Sequence, residues 1–405
     1  MEQTKYIVLV ADGMADYPIE ELGMRTPLEA ARTPNMDFIA KNGLLGQAKT
    51  IPDKMSPASD VANLSILGYD PKKYYSGRGP LEAANLGVEL EDDDVVFRCN
   101  LITAADDTLL DYSSGHIKSE EANQLIKFID QKLGSNKLRF FPGVSYRHLL
   151  LVKRGAESKL ELLKCRAPHD ITGQSISKNL PKGDNADLII KLMLDSRPLL
   201  NNHEINQVRL DLKENPGNMI WLWGQGKKTN MPKFLDKFGL SGSVISAVDL
   251  IKGLGRLLGL EVINVPGATG YYDTDYEAKA KAAIKSLKKH DFTFVHVEAP
   301  DEAGHNGDLR EKLTAIERFD QLVVGTILEY CKTLKDNFRI LILPDHATPL
   351  SLKTHTSEAI PFAMCGKDIA AKSFNNYSEK EAQKSELHFE NGHELMGWFI
   401  SNTRH

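Results

Sequence analysis

Three aspartates and three histidines in this chain stand where a fold presents side chains to a ligand. Asp301 and His305 share the segment PDEAGH, Asp345 and His346 are adjacent in LPDHA, His355 follows in KTHTSEAIPF, and Asp12 closes the apolar run that begins at Tyr6. Mixed imidazole and carboxylate ligation suits divalent manganese, cobalt or zinc, with magnesium less at home among so many nitrogens. Six ligands are too many for one catalytic ion that keeps an open position, and they are right for two. Each residue alone has a plainer reading. A strand-end aspartate caps a helix, and a lone histidine serves the core or the surface. The set outweighs the single readings because it recurs at three strand ends.

Ser59 joins the set as a nucleophile. It stands where a helix is expected to begin, ahead of Val61, Leu64, Ile66 and Leu67 and the stop at Gly68. An ordinary N-cap serine has the same appearance. A helix N-terminus also offers free backbone N–H groups and a positive dipole end to a phosphate carried on that oxygen. A divalent ion acidifies such a hydroxyl, so no histidine base is required.

The elements that must position these residues follow from period and punctuation. Tyr6–Val10, Val262–Val265, Phe292–Val297 and Phe338–Leu343 read as buried strands. Val244–Leu258, Asp275–Lys288, Asp308–Lys335 and His393–Ile400 read as helices, as does the stretch that Pro27 opens and Pro34 interrupts. In the middle of the chain, Val95–Leu101 and Leu149–Val152 read as strands and Ser119–Leu133 and Asp184–Leu194 as helices. Met219–Trp223 reads as a strand after the turn Asn215-Pro216-Gly217. In open α/β sheets the ligand site lies at the carboxyl ends of the strands. Asp12, Asp301 and Asp345 are therefore expected on one rim, far apart as they are in sequence.

The segments VADGMADYP, SDVANLSILGYDP, YSGRGPLEAA, PGATGYYDTDYEAKA, PDEAGHNGD, PDHATP and THTSEAIPF, with FRCNL, PHDITG and WLWGQGKK between them, resemble the archaeal-type cofactor-independent phosphoglycerate mutases of the alkaline phosphatase superfamily. The resemblance runs from the first strand almost to the end of the chain. It implies an alkaline-phosphatase-like three-layer α/β core with a mainly parallel sheet, formed by residues 1–75 and 216–405. An inserted, smaller α/β substrate-binding domain would span residues 76–215. It also implies two divalent metal ions (Mn, Co, Zn or Mg) and no 2,3-bisphosphoglycerate. By the resemblance, Asp301, His305 and His355 hold one ion, and Asp12, Ser59, Asp345 and His346 the other. Ser59 takes the phosphoryl group of 3-phosphoglycerate, and the retained glycerate recovers it at its 2-hydroxyl. Arginine is best suited to bidentate capture of carboxylate or phosphate. Arg98, Arg147, His169, Asp170 and Lys227 fall inside family-like segments and are the candidates for gripping the substrate. Where larger relatives carry a lysine after a proline near the end of the insert, this chain has Gly267. The alternative is a homoserine kinase-like or other phosphotransferase or phosphatase activity, since a core does not determine the function grafted on it.

Composition narrows the partners. Of 405 residues, 41% are hydrophobic, enough for a large core without disulfide staples. A net charge of −5 gives no basic excess for a nucleic-acid partner. No window holds the run of apolar residues a membrane span needs, and the first residues do not form a secretory signal. Four cysteines lie far apart, which argues against a zinc knuckle and against a disulfide framework. The expectation is a cytoplasmic enzyme acting on a small phosphorylated substrate, with its oligomeric state left open.

Overall fold

The computed structural model describes residues 4–334, 337–372 and 374–401. The chain divides into two compact units, Met1–Tyr75 with Met231–His405, and Ser76–Asn230. Two strands precede the inserted unit, β1 (Lys5–Ala11) and β2 (Leu44–Ala48). Five lie within it: β3 (Val95–Ala105), β4 (Thr108–Asp111), β5 (Leu138–Val144), β6 (Arg147–Val152) and β7 (Met219–Lys227). Six follow: β8 (Gly242–Ile245), β9 (Glu261–Val262), β10 (Phe292–Val297), β11 (Phe338–Leu343), β12 (Ile360–Gly366) and β13 (His388–Phe389).

The first unit is built on a sheet in the order β13-β2-β12-β11-β1-β10-β8-β9. It is mainly parallel, and β12 is the strand that runs against its neighbours β11 and β2. β1 lies between β10 and β11 in parallel register, with Ala11 opposite Val297 and Val10 opposite Leu343. Asp12, Glu298 and Asp345 therefore emerge side by side at the carboxyl ends of three adjacent strands. Ile7, Leu9 and Ala11 pack with Met36, Ile39, Ala280, Ala283 and Ala315 from helices on one face. Val8 and Val10 point to the other face and are equally buried. That two-sided burial is why β1 reads as an unbroken apolar run rather than an alternating one.

The second unit is a sheet in the order β4-β3-β6-β5, and β7 also pairs with β3. The helices Ser119–Leu133 and Ala186–Asn201 bury Leu125, Ile129, Ile189 and Met193 against Phe97, Leu101 and Trp221. The sequence predicts an α/β insert, and every strand pairing in it is antiparallel.

Three boundaries differ from the sequence expectation. β7 pairs with β3 from Met219 to Lys227, so residues 216–230 belong to the inserted unit. The chain returns to the first unit at residue 231, not at 216. Val244 and Ile245, expected to open a helix, end β8 in register with Phe294 and Val295, and the helix runs from Asp249 to Leu257. The helix expected over Asp308–Lys335 is segmented. Asp308 caps Leu309–Arg318, a π-helical stretch spans Phe319–Gly325, and Thr326–Cys331 follows, while Lys335 lies outside the described residues.

Candidate metal and nucleophile site

Asp12 follows β1 and is fully buried, and neither of its carboxylate oxygens receives a hydrogen bond from a described residue. An anion in that condition is costly unless a positive charge compensates it. Asp345 is differently supported, with Gly13 N donating to Oδ1 at 3.1 Å and Asn63 Nδ2 to Oδ2 at 2.8 Å. Gly13 has φ of +60°, and a Cβ there would stand 2.5 Å from Asp301 Oδ1. Only glycine lets the turn after β1 close over the carboxylates. Asp301 lies in the first turn of the helix Ala299–Asn306, and His305 follows on the same face one turn on.

The imidazoles converge through their Nε2 atoms. His305 Nε2 is 3.1 Å from Asp301 Oδ2 and 2.8 Å from His355 Nε2, and His355 Nε2 is 3.5 Å from Asp301 Oδ1. His305 Nδ1 sits 3.0 Å from the Lys353 carbonyl. A carbonyl can only accept, so Nδ1 carries the hydrogen and Nε2 is left for the cluster. His346 uses a similar arrangement, with Nδ1 3.2 Å from Thr348 Oγ1. Its Nε2 lies 3.4 Å from Asp12 Oδ1, 3.5 Å from Asp345 Oδ2 and 3.1 Å from Ser59 Oγ. The donor atoms of Asp301, His346 and His355, and those of Asp12, Asp345 and His346, each fall within 4.8 Å of one another. Ser59 is the first residue of the helix Ser59–Ile66. The N-cap is Ala58, so the serine hydroxyl is turned to His346 and not used for capping.

The electrostatics describe a rim with excess negative charge. Burial first, and then Asp345, Glu298 and Asp301, hold the Asp12 carboxyl well above the usual range. Glu298 is pushed up to about 8 by burial and by Asp301. Burial acts upward on Asp301 too, but hydrogen bonds with His305 and His355 outweigh it and hold the group well below its ordinary value. The same bond with Asp301 raises His305 to about 9. Burial lowers His346. Donor-poor buried oxygens beside imidazoles oriented through Nδ1 fit divalent cations.

The structure adds neighbours that sequence reasoning passed over. His296 is fully buried on β10, its Nε2 3.0 Å from Asp12 Oδ2, and with Glu298 it forms a further donor group around Asp12. A histidine inside an otherwise apolar strand was the available signal. Asn63 bridges the Ser59 carbonyl and Asp345, and Thr348 Oγ1 donates to Asp301 Oδ1. Nothing local marks either residue.

A profile of the family described as 2,3-bisphosphoglycerate-independent phosphoglycerate mutase matches residues 40–206. The enzyme of that name from Methanosarcina mazei is 50% identical over 399 residues, spanning 98% of this chain and 100% of its own. The chain belongs to this family. A probable 2,3-bisphosphoglycerate-independent phosphoglycerate mutase from Geobacter sulfurreducens is also 50% identical, over 401 residues covering 97% of this chain and 98% of its own. Among solved structures, a Pyrococcus horikoshii protein superposes with a TM-score of 0.84 at 30% identity, covering 100% of this chain and 99% of that one. The cofactor-independent phosphoglycerate mutase of Thermoplasma acidophilum gives a TM-score of 0.67 at 25% identity, covering 98% and 100%.

The mutase-family profile takes in Arg98, Arg147, His169 and Asp170 and ends before Lys227. Within the second unit, Arg98 on β3 lies opposite Trp223 on β7. Its guanidinium carbon is 4.4 Å from the indole, and its Nε is 3.0 Å from Glu82 Oε1. The His169 ring is 5.4 Å from the same indole and 6.0 Å from Tyr112. Tyr112 is 5.7 Å from Tyr146, whose ring lies 6.0 Å from the Arg147 guanidinium carbon. An aromatic chain thus brings Arg98, His169 and Arg147 together. Asp170 is exposed, its Oδ1 3.6 Å from His169 Nε2. The Lys227 side chain forms no hydrogen bond or ion pair among the described residues, while Lys228 pairs with Asp92 at 3.1 Å.

Proposed function

We propose that this chain interconverts 3-phosphoglycerate and 2-phosphoglycerate through a phosphoserine at Ser59, in glycolysis and gluconeogenesis and without 2,3-bisphosphoglycerate. The observation that carries the reading is the position of Ser59 Oγ, 3.1 Å from His346 Nε2 beside the two donor clusters. Membership of the family supports it.

Asp301, His305 and His355 would hold one divalent ion, and Asp12, Ser59, Asp345 and His346 a second. Bound there, such ions acidify the serine hydroxyl and neutralise charge on phosphoryl oxygens. Manganese, cobalt and zinc suit three imidazoles better than magnesium.

The rest is work for the chain's own residues. Ser59 Oγ attacks phosphorus. Its bond to phosphorus forms as the bond to the C3 oxygen breaks, and that oxygen leaves to regain a proton. The N-terminus of the helix Ser59–Ile66 stabilises the phosphate that Ser59 then carries. The glycerate stays, turns and attacks through its 2-hydroxyl oxygen, which returns the serine to its free form. Two in-line displacements leave phosphorus with net retention. Retaining the glycerate makes the second step intramolecular and keeps out water, which would release phosphate instead. Arg98, Arg147 and His169 are assigned to the substrate's anionic groups, Asp170 to orienting His169, and Lys227 rests on its sequence segment alone.

No helix among the described residues is long and apolar enough to cross a membrane. All four cysteines are free, and we assign the enzyme to the reducing cytoplasm.

Phosphorus NMR of the manganese-loaded protein with 3-phosphoglycerate alone tests the reading. The expected product is 2-phosphoglycerate, lost in Ser59→Ala. Inorganic phosphate as sole product would make the protein a phosphatase. No turnover would direct the search to homoserine with ATP.

A further inference from the structure

Arg98, Arg78 and His169 come from three separate elements and meet on one side chain. Arg98 lies on β3, Arg78 opens the helix Arg78–Leu86, and His169 sits in the short turn Pro168–Ile171. The guanidinium carbons of Arg98 and Arg78 lie 4.4 Å and 5.7 Å from the Trp223 indole, and the His169 ring packs T-shaped against it at 5.4 Å and 75°. The indole is itself fixed. Trp223 is 6% exposed, and its Nε1 donates to Asn100 Oδ1 at 3.0 Å, so rotation would leave a buried amide oxygen unpaired. Gly224, at φ +58°, turns the strand just beyond, and both arginine stems pack within 3.6 Å of where its Cβ would be. An arginine stacked on an aromatic face keeps its N–H edge in one plane, preorganised for a carboxylate.

We propose that Trp223 is the positioning residue of the anion-binding groups in the second unit: Asn100 fixes the indole, and the indole fixes Arg78, Arg98 and His169 for the carboxylate of a phosphoglycerate. This rests on the mutase reading above. The proposal assigns the indole to holding the cations and not to contacting the substrate, so its loss loosens binding and leaves phosphoryl transfer at Ser59 intact.

Steady-state kinetics of wild type, Trp223→Phe and Trp223→Leu with 3-phosphoglycerate test it. In Trp223→Leu the KM rises about tenfold with kcat within about twofold, the size expected for a lost cation–π platform. In Trp223→Phe, which keeps a ring face, the KM rises less. An unchanged KM in Trp223→Leu, an equal rise in both variants, or a fall in kcat alone overturns the proposal. If Trp223→Leu does not fold, tryptophan emission decides, measured while 3-phosphoglycerate is titrated into Ser59→Ala with and without Trp223→Phe. A response lost with Trp223 is expected, and one of equal size in both overturns it. A wild type that makes no 2-phosphoglycerate instead removes the underlying reading, so the two failures are distinct.

Discussion

A carboxylate that is fully buried and accepts no hydrogen bond opposes folding, and among the described residues Asp12 is in that condition. On the proposed two-metal reading, cations held at the rim would offset that cost. Asp12→Asn should therefore change sign with conditions. In chelator the variant should melt higher than wild type, because an amide replaces a carboxyl that must either be buried as an anion or take up a proton above its ordinary range. With manganese the order should reverse. Thermal unfolding under both conditions is the check, and a variant that melts lower in both would remove the argument. Asn63 carries a second prediction at this scale, because it joins the nucleophile's helix to Asp345. Asn63→Ala should lower kcat/KM about ten- to a hundredfold, as losing an outer-shell partner does, with metal content and phosphorus NMR as the readouts. Asp12, Asp301 and Asp345 were legible in the sequence because each follows an apolar run that announces a strand. His296, Asn63 and Thr348 were not, because their relevance depends on which strands and helices become neighbours.

At the scale of elements, the helix Leu309–Arg318 is tied to the loops after β1 and β11 by one buried lysine. Lys312 Nζ donates to Asp16 Oδ2 at 2.6 Å and to the Thr348 carbonyl at 2.8 Å, and both partners of the ion pair are buried. Burial pulls the Lys312 pKa down, and Asp16 opposes that pull. Lys312→Met should cost about 3–5 kcal/mol, because it strands the Asp16 charge. Adding Asp16→Asn should recover most of that loss. Urea unfolding of both single variants and the double variant measures the coupling, and simple additivity would show that the pair does not act as a unit. Most elements near this site were readable from apolar period and capping residues. Their membership was harder to read. Met219–Lys227 has the composition of a buried strand, and nothing local says that it pairs with β3. Val244 and Ile245 suit a helix face as well as the strand they form, and the parallel partner that decides between the two lies about fifty residues away.

At the scale of the whole molecule, each unit has a core of its own, so a buried titratable group bears on the stability of the unit that holds it. His148 is buried in the second unit, accepts from Gly143 N at 2.9 Å through Nδ1, and has no partner at Nε2 among the described residues. Burial, with the Arg147 charge adding to it, lowers its pKa from the ordinary 6.5 to about 3. The unfolded chain takes up this proton as pH falls below 6.5, and the folded chain does not until about 3. The contribution is thus complete above 6.5 and is lost progressively as pH falls towards 3. By about pH 5 the loss amounts to roughly 2 kcal/mol, at about 1.4 kcal/mol per pH unit. His148→Asn keeps an acceptor for Gly143 and cannot titrate, so its stability should be nearly flat over the same interval. Tryptophan emission during urea unfolding suits the test, because Trp221 and Trp223 report on the second unit and only Trp398 on the first. If wild type and His148→Asn lose the same stability between neutral pH and about pH 5, other groups carry the acid sensitivity, and the neutral buried imidazole does not limit the inserted unit.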